Sequence, residues 1–413
     1  MDRLTNTVRT YAWGSRTALP ALLGTAPTGE PQAELWMGAH PGAPSTLDRG
    51  DGPRPLDSVI AADPEGELGT AVVQHFGPTL PFLLKLLAAG EPLSVQVHPN
   101  LDRARAGFAE EEALGVPIDA PHRNYKDANH KPELICALDE FTGLCGFRTP
   151  ADTALLLAAL DVPALAPLVD VLRSKPEQEA LREALTTVLV DSTATIAATV
   201  LATTEALERG AADPGRLGLS EALGSSLGSY AAVGRTFPGD PGVIAALLLN
   251  HVRLQPGEAL YLGAGVPHAY LSGLGVEILA NSDNVVRCGL TPKHVDVPEL
   301  LRIVDFRSAD PGVLHPVPVP DSDGEEFYPT PIDEFRLSRY TLGGTVPARR
   351  RVPGTTPQIL LCTEGTAVLT DADDSSVTLR RGESAYVSAH AVDLRIAAAD
   401  SAPSTVFRAT VSL

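Results

Sequence analysis

The hydrophobic and polar positions divide the chain into regions of different texture. Up to residue 150, short apolar runs alternate with many Gly and Pro residues, a pattern typical of β-strands and turns. Between residues 151 and 250, Ala and Leu dominate and apolar residues recur at helical spacing, which predicts an all-α unit of several helices. Strand-like alternation returns at 251–310 and again at 325–413, so we expect a mainly β fold with an α-helical insertion. The Pro-, Asp- and Gly-rich segment at about 311–330 is predicted to be a linker.

An internal repeat connects the two later strand-rich regions. Residues 254–268 and 379–390 both follow the pattern apolar-x-x-Gly-Glu-x-x-Tyr-apolar, then small residues, then His. We interpret this pattern as a repeated β-barrel hairpin, with a shorter loop before the histidine in the second copy. Two related small barrels would also account for the many short strands.

Composition narrows the classes of function. The net charge of −19 argues against binding to nucleic acid or to an anionic membrane, whose phosphates would be repelled. The four cysteines are too few for a disulfide framework and sit among apolar residues, so we expect buried, reduced thiols in a cytoplasmic protein. The N-terminus lacks the apolar core of a signal peptide, and no apolar run reaches the ~18–20 residues of a membrane span.

Candidate metal ligands occur on one short strand and in two later segments. Alternation along residues 94–98 places Ser94, Gln96 and His98 on the same face of a strand. Glu133 leads an apolar strand, and His268 follows a proline at a predicted turn. Two imidazoles, a carboxylate and an amide oxygen suit Zn²⁺. Purely structural positions stay open as the alternative, because the chain has no compact HxxxH or CxxC signature.

Further charged residues cluster in the same regions. The run at 281–284 is Asn-Ser-Asp-Asn, which is a turn by composition. Arg287 follows in a strand-like context, where its guanidinium must pair with Asp283, Glu277 or a bound anion. Lys293 adds a second cation shortly afterwards.

The segment Asn-His-Lys-Pro-Glu at 129–133 places two more polar groups beside a predicted ligand. His130 supplies a titratable imidazole and Lys131 an ammonium group next to Glu133. A base close to a metal ion and a cation is the arrangement that proton transfer beside a carbonyl requires.

Together these segments resemble the type I mannose-6-phosphate isomerases, a family of zinc-dependent cupin enzymes. The resemblance covers residues 1–310 well and the C-terminal region by architecture alone. The matching stretches occur in the family's order at 11–15, 81–85, 94–99, 126–133, 143–148, 265–270 and 276–293. Two departures, Ala128 and Cys288, are small and non-ligating and leave the assignment intact.

The resemblance implies a specific architecture. It predicts two cupin-type (jelly-roll) β-barrels plus an all-α domain. The catalytic barrel would be formed by residues 1–150 and 251–310, with the helical domain at 151–250 between them. A C-terminal cupin-like barrel would follow at 325–413. We expect no metal in that second barrel, since it keeps His390 but lacks a Gln-x-His strand.

The resemblance also implies a reaction. The substrate would be a small sugar phosphate, and the enzyme would interconvert mannose 6-phosphate and fructose 6-phosphate through a cis-enediol(ate). One Zn²⁺ per chain would be held by Gln96, His98, Glu133 and His268. We further predict a monomer.

Roles for other site residues follow from the same resemblance and from the chemistry of the reaction that it implies. Arg287 would be an active-site residue that adds a fixed positive charge. For the proton transfer between C1 and C2 we favour Lys131, with Glu277 and His130 as alternatives. Asp283 and a histidine are candidates for ring opening. The substrate or its phosphate would be contacted by Ser94, Lys293, Tyr270 and Trp13.

Two other classes of protein remain as alternatives at this stage. An iron oxygenase of the same fold class typically uses two histidines and one carboxylate with open positions. Gln96 as an additional ligand, and the set of Arg and Lys residues, argue against it. A non-enzymatic sugar-binding or regulatory protein would bind the hexose phosphate without exchanging its C2 proton with solvent.

Overall fold

The computed structural model describes residues 1–190, 193–343 and 349–413. The strands are β1 (Asp2–Leu4), β2 (Thr7–Arg9), β3 (Glu34–Met37), β4 (Thr46–Asp48), β5 (Pro53–Pro55), β6 (Phe82–Ala89), β7 (Val95–Val97), β8 (Glu133–Ala137), β9 (Phe141–Phe147), β10 (Leu249–Leu254), β11 (Ala259–Leu262), β12 (His268–Ala280), β13 (Val286–Gly289), β14 (Val317–Pro318), β15 (Glu325–Phe327), β16 (Arg336–Leu342), β17 (Arg350–Arg351), β18 (Gln358–Glu364), β19 (Thr366–Thr370), β20 (Ser376–Arg380), β21 (Ser384–Val387), β22 (Arg395–Ala398) and β23 (Ser404–Thr410).

The helices are α1 (Ala18–Leu23), α2 (Leu56–Ala62), α3 (Pro64–Leu68), α4 (Thr70–Phe76), α5 (Leu101–Ala113), α6 (Pro150–Ala159), α7 (Ala166–Ser174), α8 (Glu177–Val190), α9 (Thr193–Ala212), α10 (Glu221–Thr236), α11 (Gly242–Leu247) and α12 (Val297–Ile303). The fold is therefore sheet-rich, but helix is not confined to the predicted insertion. The sequence pattern missed α1 to α4 because helices of five to seven residues are too short to show a helical period.

One long strand organises the first part of the molecule. β12 pairs antiparallel with β6 and β8 along its later residues and with β7 and β9 at its start. Its first residue, His268, lies opposite Gln96 of β7, and Gln96 also lies opposite Arg287 of β13. Strand pairing alone thus brings three of the predicted site residues to one end of a ten-stranded sheet.

The C-terminal region forms a seven-stranded and a four-stranded sheet, and two sequence predictions need correction there. β1, at the N-terminus, pairs with β21 and so belongs to the seven-stranded sheet. The predicted linker contains β14 and β15, which extend the same sheet. β14 lies at the sheet edge, where a proline such as Pro318 is tolerated because no inward hydrogen bond is lost.

The repeated sequence pattern forms the same turn twice. In the first copy, Gln255 N donates to a Glu258 carboxylate oxygen at 2.8 Å, and Glu258 N donates back to Gln255 O at 2.9 Å. In the second copy, Arg380 and Glu383 make the same two hydrogen bonds at 2.7 and 2.9 Å. The flanking strands are not hairpins as predicted, since β10 and β11 join different partners, β9 and β8.

The helical region supports the strands that hold the site. α6 begins after Thr149, whose side chain accepts a hydrogen bond from Asp152 N. One hydrophobic cluster combines buried side chains of α6 to α11 with Val95 and Val97 of β7 and Val286 of β13. The apolar face of β7, opposite its polar face, is therefore buried against the helices.

Two further observations concern the sequence predictions on cysteines and membranes. All four cysteines lie in the described residues, and each is buried and free. Among the described residues no single helix is long and apolar enough to cross a membrane. The helices α8 and α9 reach the required length and apolar composition only when they are taken together, and they are bent by 111° relative to each other.

Candidate active site

A cavity of about 600 Å³ opens at the end of the ten-stranded sheet where β7, β12 and β13 meet. Most residues that the sequence predicts for the site line this cavity. They are Trp13, Ser94, Gln96, Lys131, Glu133, His268, Tyr270, Glu277, Asp283, Arg287 and Lys293. His98 lies in the wall behind them and is fully buried.

Three of the predicted metal ligands converge at the base of the cavity. Glu133 Oε2 lies 3.5 Å from His98 Nε2 and 3.4 Å from His268 Nε2. The three ligand atoms all lie within 4.8 Å of one another, and all three residues are buried. This spacing is that of a group able to coordinate one cation.

Backbone carbonyls orient both imidazoles towards the same point. His98 Nδ1 donates to Asn284 O at 2.8 Å, and His268 Nδ1 donates to Val266 O at 2.9 Å. With the proton on Nδ1, each Nε2 presents a lone pair, the arrangement that metal-binding histidines adopt. His98 Nε2 is buried and has no hydrogen-bond partner among the described residues. An unpartnered buried nitrogen facing a carboxylate fits a metal ligand better than a structural histidine.

Gln96, the fourth predicted ligand, lies opposite His268 in the pairing of β7 with β12. It is half-buried, and its Nε2 donates to Ser94 Oγ at 3.3 Å on the same face of β7. With its amide nitrogen engaged, the amide oxygen is the ligand that Gln96 offers to a cation. The donor set of two nitrogens and two oxygens suits Zn²⁺.

The electrostatics of this group favour the protonation state that a metal requires. Burial lowers the pKa of His98 to about 4, although the adjacent Glu133 opposes the shift. Burial would raise the pKa of Glu133, but Lys131 and the two imidazoles outweigh it and hold that pKa well below its ordinary value. Neutral His98 and ionised Glu133 are the forms that bind a divalent cation.

A second buried group lies beside the ligands, and sequence reasoning assigned only two of its members, Glu277 and Tyr270. Lys85 Nζ is 3.0 Å from Glu277 Oε2 and 3.4 Å from Glu34 Oε1. Tyr270 donates from its hydroxyl to Glu277 Oε1 at 2.9 Å, and Trp36 Nε1 donates to Glu34 Oε2 at 2.7 Å. All five residues line the cavity. The signal in the sequence was a single lysine inside the uninterrupted apolar run that forms β6.

Burial and neighbouring charges both shift the pKa values of Lys85 and Glu277. Burial opposes the positive charge of Lys85, but the attraction of Glu277, Glu34 and Glu133 outweighs it and raises the lysine pKa. Burial raises the pKa of Glu277, and the nearby carboxylates Glu133 and Glu34 add to the rise while Lys85 opposes it. A carboxyl group shifted towards neutral pH is suited to general acid–base chemistry.

Two predicted site residues, Asp283 and His130, contact partners that the sequence did not predict. Asp283 Oδ1 lies 3.5 Å from His40 Nε2, and this contact lowers the pKa of Asp283 to about 2. His40 is thus the histidine that the structure brings to Asp283. His130 does not line the cavity; its Nε2 contacts the Glu334 carboxylate instead. The geometry argues against His130 as a proton carrier, because its imidazole is engaged by Glu334 away from the cavity lining.

Two cations also line the cavity. They are Arg287 and Lys293, and the pKa of each lies below its ordinary value. Burial is the cause for Arg287; for Lys293, burial is joined by repulsion from Arg287 and Lys126. Cations that repel one another in a cavity form a site for an anion, even in a protein of net charge −19.

Comparisons with known proteins agree with this geometry. Residues 1–150 match the family model for the catalytic domain of type I phosphomannose isomerase. The mannose-6-phosphate isomerase of Salmonella typhimurium is 40% identical over 393 residues, which span 94% of this chain and 95% of that protein. This chain belongs to the type I mannose-6-phosphate isomerase family. The family member from Escherichia coli is 39% identical over the same shares of the two chains.

Solved structures of the mannose-6-phosphate isomerase family share the fold over its whole length. The enzyme from Salmonella typhimurium, bound to its substrate fructose 6-phosphate and to zinc, superposes with a TM-score of 0.88 at 37% identity and covers 100% of both chains. A further structure, of a mannose 6-phosphate isomerase bound with zinc and yttrium, gives a TM-score of 0.86 at 36% identity. The family assignment therefore extends through the C-terminal region, which the sequence matched only by architecture.

Proposed function

We propose that this protein is a zinc-dependent isomerase that interconverts mannose 6-phosphate and fructose 6-phosphate. The observation that supports this most directly is the convergence of His98, Glu133 and His268 at a cavity that Arg287 and Lys293 also line. Both imidazoles are held by backbone carbonyls with Nε2 turned to the ligand carboxylate. Membership of the mannose-6-phosphate isomerase family supports the same reaction.

The residues present fit a zinc ion. His98, Glu133, His268 and Gln96 would hold it, and the unpartnered His98 Nε2 is the clearest mark of the site. Bound zinc would act as a Lewis acid that polarises the oxygens at C1 and C2 of the open-chain sugar.

Glu277 is the group that we propose to move the proton between C1 and C2. It is buried in the cavity wall, its pKa is raised by burial, and Lys85 and Tyr270 fix both carboxylate oxygens. The sequence favoured Lys131 for this step. Lys131 Nζ is 2.9 Å from Glu133 Oε1, so its ammonium is committed to the ligand carboxylate. We therefore propose that Lys131 orients Glu133 and faces the substrate as a fixed cation.

The remaining side chains are proposed to bind and open the sugar phosphate. Asp283, kept ionised by His40, would accept the proton of the anomeric hydroxyl during ring opening, and the leaving ring oxygen would take up a proton from water. Lys293 would receive the phosphate together with Ser94, and Arg287, which lies opposite Gln96, would add a fixed positive charge beside the metal ligands. Trp13 and Tyr270 would form the apolar walls against the sugar.

We also propose the two-barrel architecture that the resemblance implies. The ten-stranded sheet and the pair of C-terminal sheets would be cupin-type barrels, and residues 151–250 an all-α domain between the halves of the first barrel. The repeated Gly-Glu turn supports a common origin of the two barrels.

We further propose a cytoplasmic monomer. Light scattering during size-exclusion chromatography tests the oligomeric state. Four free, buried cysteines suit a reducing compartment.

One assay tests the proposed reaction. Fructose 6-phosphate formed from mannose 6-phosphate is measured with the protein as purified, after removal of metal by a chelator, and after zinc is restored. We expect activity to disappear with the metal and to return with zinc. A zinc-loaded protein that binds mannose 6-phosphate but forms no fructose 6-phosphate, and exchanges no C2 proton with solvent, would be a sugar-binding protein instead.

A further inference from the structure

We infer that Asp240, a residue of the helical region, positions the loop that carries Lys293 into the cavity lining. This inference rests on the proposed function. Asp240 lies in the turn between α10 and α11, outside the substrate cavity. Its carboxylate accepts hydrogen bonds from three backbone N–H groups, two of which belong to the segment that follows β13. The residue acts through that segment and would not touch the substrate.

The hydrogen bonds fix a strained turn. Asp240 Oδ1 accepts from Gly242 N at 2.7 Å and from Leu290 N at 3.1 Å, and Oδ2 accepts from Thr291 N at 3.0 Å. Leu290 has φ +56°, a left-handed conformation that is unfavourable for a leucine. Such a conformation persists only where surrounding contacts impose it. The carboxylate of Asp240 supplies that constraint.

Packing around the turn is equally tight. The Leu290 side chain is buried in the hydrophobic cluster of the helical region. A Cβ on Gly242 would lie 2.3 Å from Leu290 N, and a Cβ on Gly289 would lie 2.5 Å from Gly242 Cα. The two glycines therefore allow the start of α11 to approach the end of β13 directly, with Asp240 bridging the two backbones.

The turn leads into residues of the proposed phosphate subsite. Thr291, Pro292 and Lys293 line the cavity next to Arg287. Thr291 Oγ1 accepts from Lys293 N at 3.1 Å, so the position of Thr291 determines where the Lys293 backbone lies. Asp240 holds Thr291 N, and the position of Lys293 thus depends on the helical region. Arg287 lies before the turn and is held separately by pairing of β13 with β7.

Asp240→Ala tests this role, with Asp240→Asn as a milder variant and Asp170→Ala as control. Asp170 is an exposed aspartate of α7. We expect the KM of Asp240→Ala for mannose 6-phosphate to rise about tenfold with kcat within about twofold and with unchanged zinc content. Asp240→Asn should lie between wild type and Asp240→Ala, because asparagine keeps one acceptor oxygen but presents a donor to Thr291 N.

A double-mutant cycle separates positioning from general destabilisation. Lys293→Ala alone should raise KM about tenfold, but in the Asp240→Ala background it should add less than about threefold, because the lysine is already displaced. Independent, multiplicative effects of the two substitutions would overturn the inference. So would an unchanged KM in folded Asp240→Ala, or a loss of zinc and kcat without a change in KM.

Phosphate binding keeps the inference testable if the isomerase activity is absent. Inorganic phosphate is titrated into the zinc-loaded wild type and Asp240→Ala and followed by ³¹P NMR. We expect the wild type to bind phosphate and the variant to bind it about tenfold more weakly. Equal binding by both proteins, or none by the wild type, would refute the positioning of a phosphate subsite whether or not mannose 6-phosphate is isomerised.

Discussion

Replacing Glu277 by glutamine tests the proposed proton transfer most directly. The two side chains have nearly the same shape, but the amide cannot accept the substrate proton. General base catalysis contributes about 10²- to 10⁴-fold to a rate. We therefore expect kcat of Glu277→Gln to fall by about 10²- to 10⁴-fold, which corresponds to about 2.7–5.4 kcal/mol of activation free energy. Zinc content should stay near one per chain, since Glu277 is not a proposed ligand.

The contacts of Glu277 limit how much Glu277→Gln can destabilise the folded protein. Glutamine Oε1 can still accept the hydrogen bond from Tyr270, but its amide nitrogen would face Lys85 Nζ, and two donors do not pair. Losing a hydrogen bond to a charged group costs about 1.5–3 kcal/mol. Lys85 keeps its contact with Glu34, so the lysine is not left unpaired. The loss of activity should therefore greatly exceed any loss of folded protein at the assay temperature.

Glu34→Gln is the matched control for Glu277→Gln. It removes the other carboxylate from the same lysine, at 3.4 Å, and leaves Glu277 in place. We expect its kcat to remain within about tenfold of wild type, because no proton carrier is lost. Turnover is measured by a coupled assay, and deuterium incorporated from D₂O into the product is measured by NMR. If Glu277→Gln keeps kcat within tenfold, or still incorporates deuterium at the wild-type rate, Glu277 is not the base.

The other predictions concern the metal, the fixed positive charge and the packing of the helical region. His268→Ala should lose zinc, and full zinc content by metal analysis would remove His268 from the ligand set. Arg287→Ala should lower kcat strongly while zinc stays near one per chain; loss of zinc would mark Arg287 as structural. Gly242→Ala should lower the free energy of unfolding, measured by urea denaturation, by about 1–3 kcal/mol, because the new methyl group meets Leu290 N. Gly228→Ala, in open space on α10, should instead be neutral or stabilising by up to about 1 kcal/mol.

The sequence predicted the polar and apolar faces of β7 because a strand has a strict period of two residues. Val95 and Val97 are buried against the helices, while Ser94 and Gln96 line the cavity, as alternation requires. The segment 281–284, a turn by composition, likewise lies outside helices and strands, between β12 and β13. These features depend on neighbours within a few residues along the chain, and local patterns report such neighbours directly.

The features that the sequence missed depend on contacts between distant segments. Glu34 and Lys85 meet only because β3 and β6 pair, and His40 reaches Asp283 from a loop far away in sequence. No local period reports such contacts. For the same reason the pairing of β1 with β21 was missed, since three residues carry too little pattern to identify a partner strand.

The boundary between the proposed barrels is likewise less sharp than the sequence textures indicate. One hydrophobic cluster includes Leu35 and Leu134 from the first region together with Tyr328 and Leu361 from the last. Tyr328 also donates to Gly257 O at 2.9 Å, in the first copy of the repeated turn. The seven-stranded sheet of the C-terminal region therefore shares a core with β8, the strand that begins at Glu133.

Asn284 shows how a residue interpreted as part of a turn also organises the metal centre. It is fully buried, and its carbonyl accepts the hydrogen bond that orients His98. Its side-chain oxygen accepts from Lys126 N at 2.7 Å, and its amide nitrogen donates to Asn129 O at 2.8 Å. One residue thus orients a ligand imidazole and anchors the loop that leads to Glu133. The composition of the turn satisfies both needs, because asparagine combines a donor and an acceptor on one short side chain.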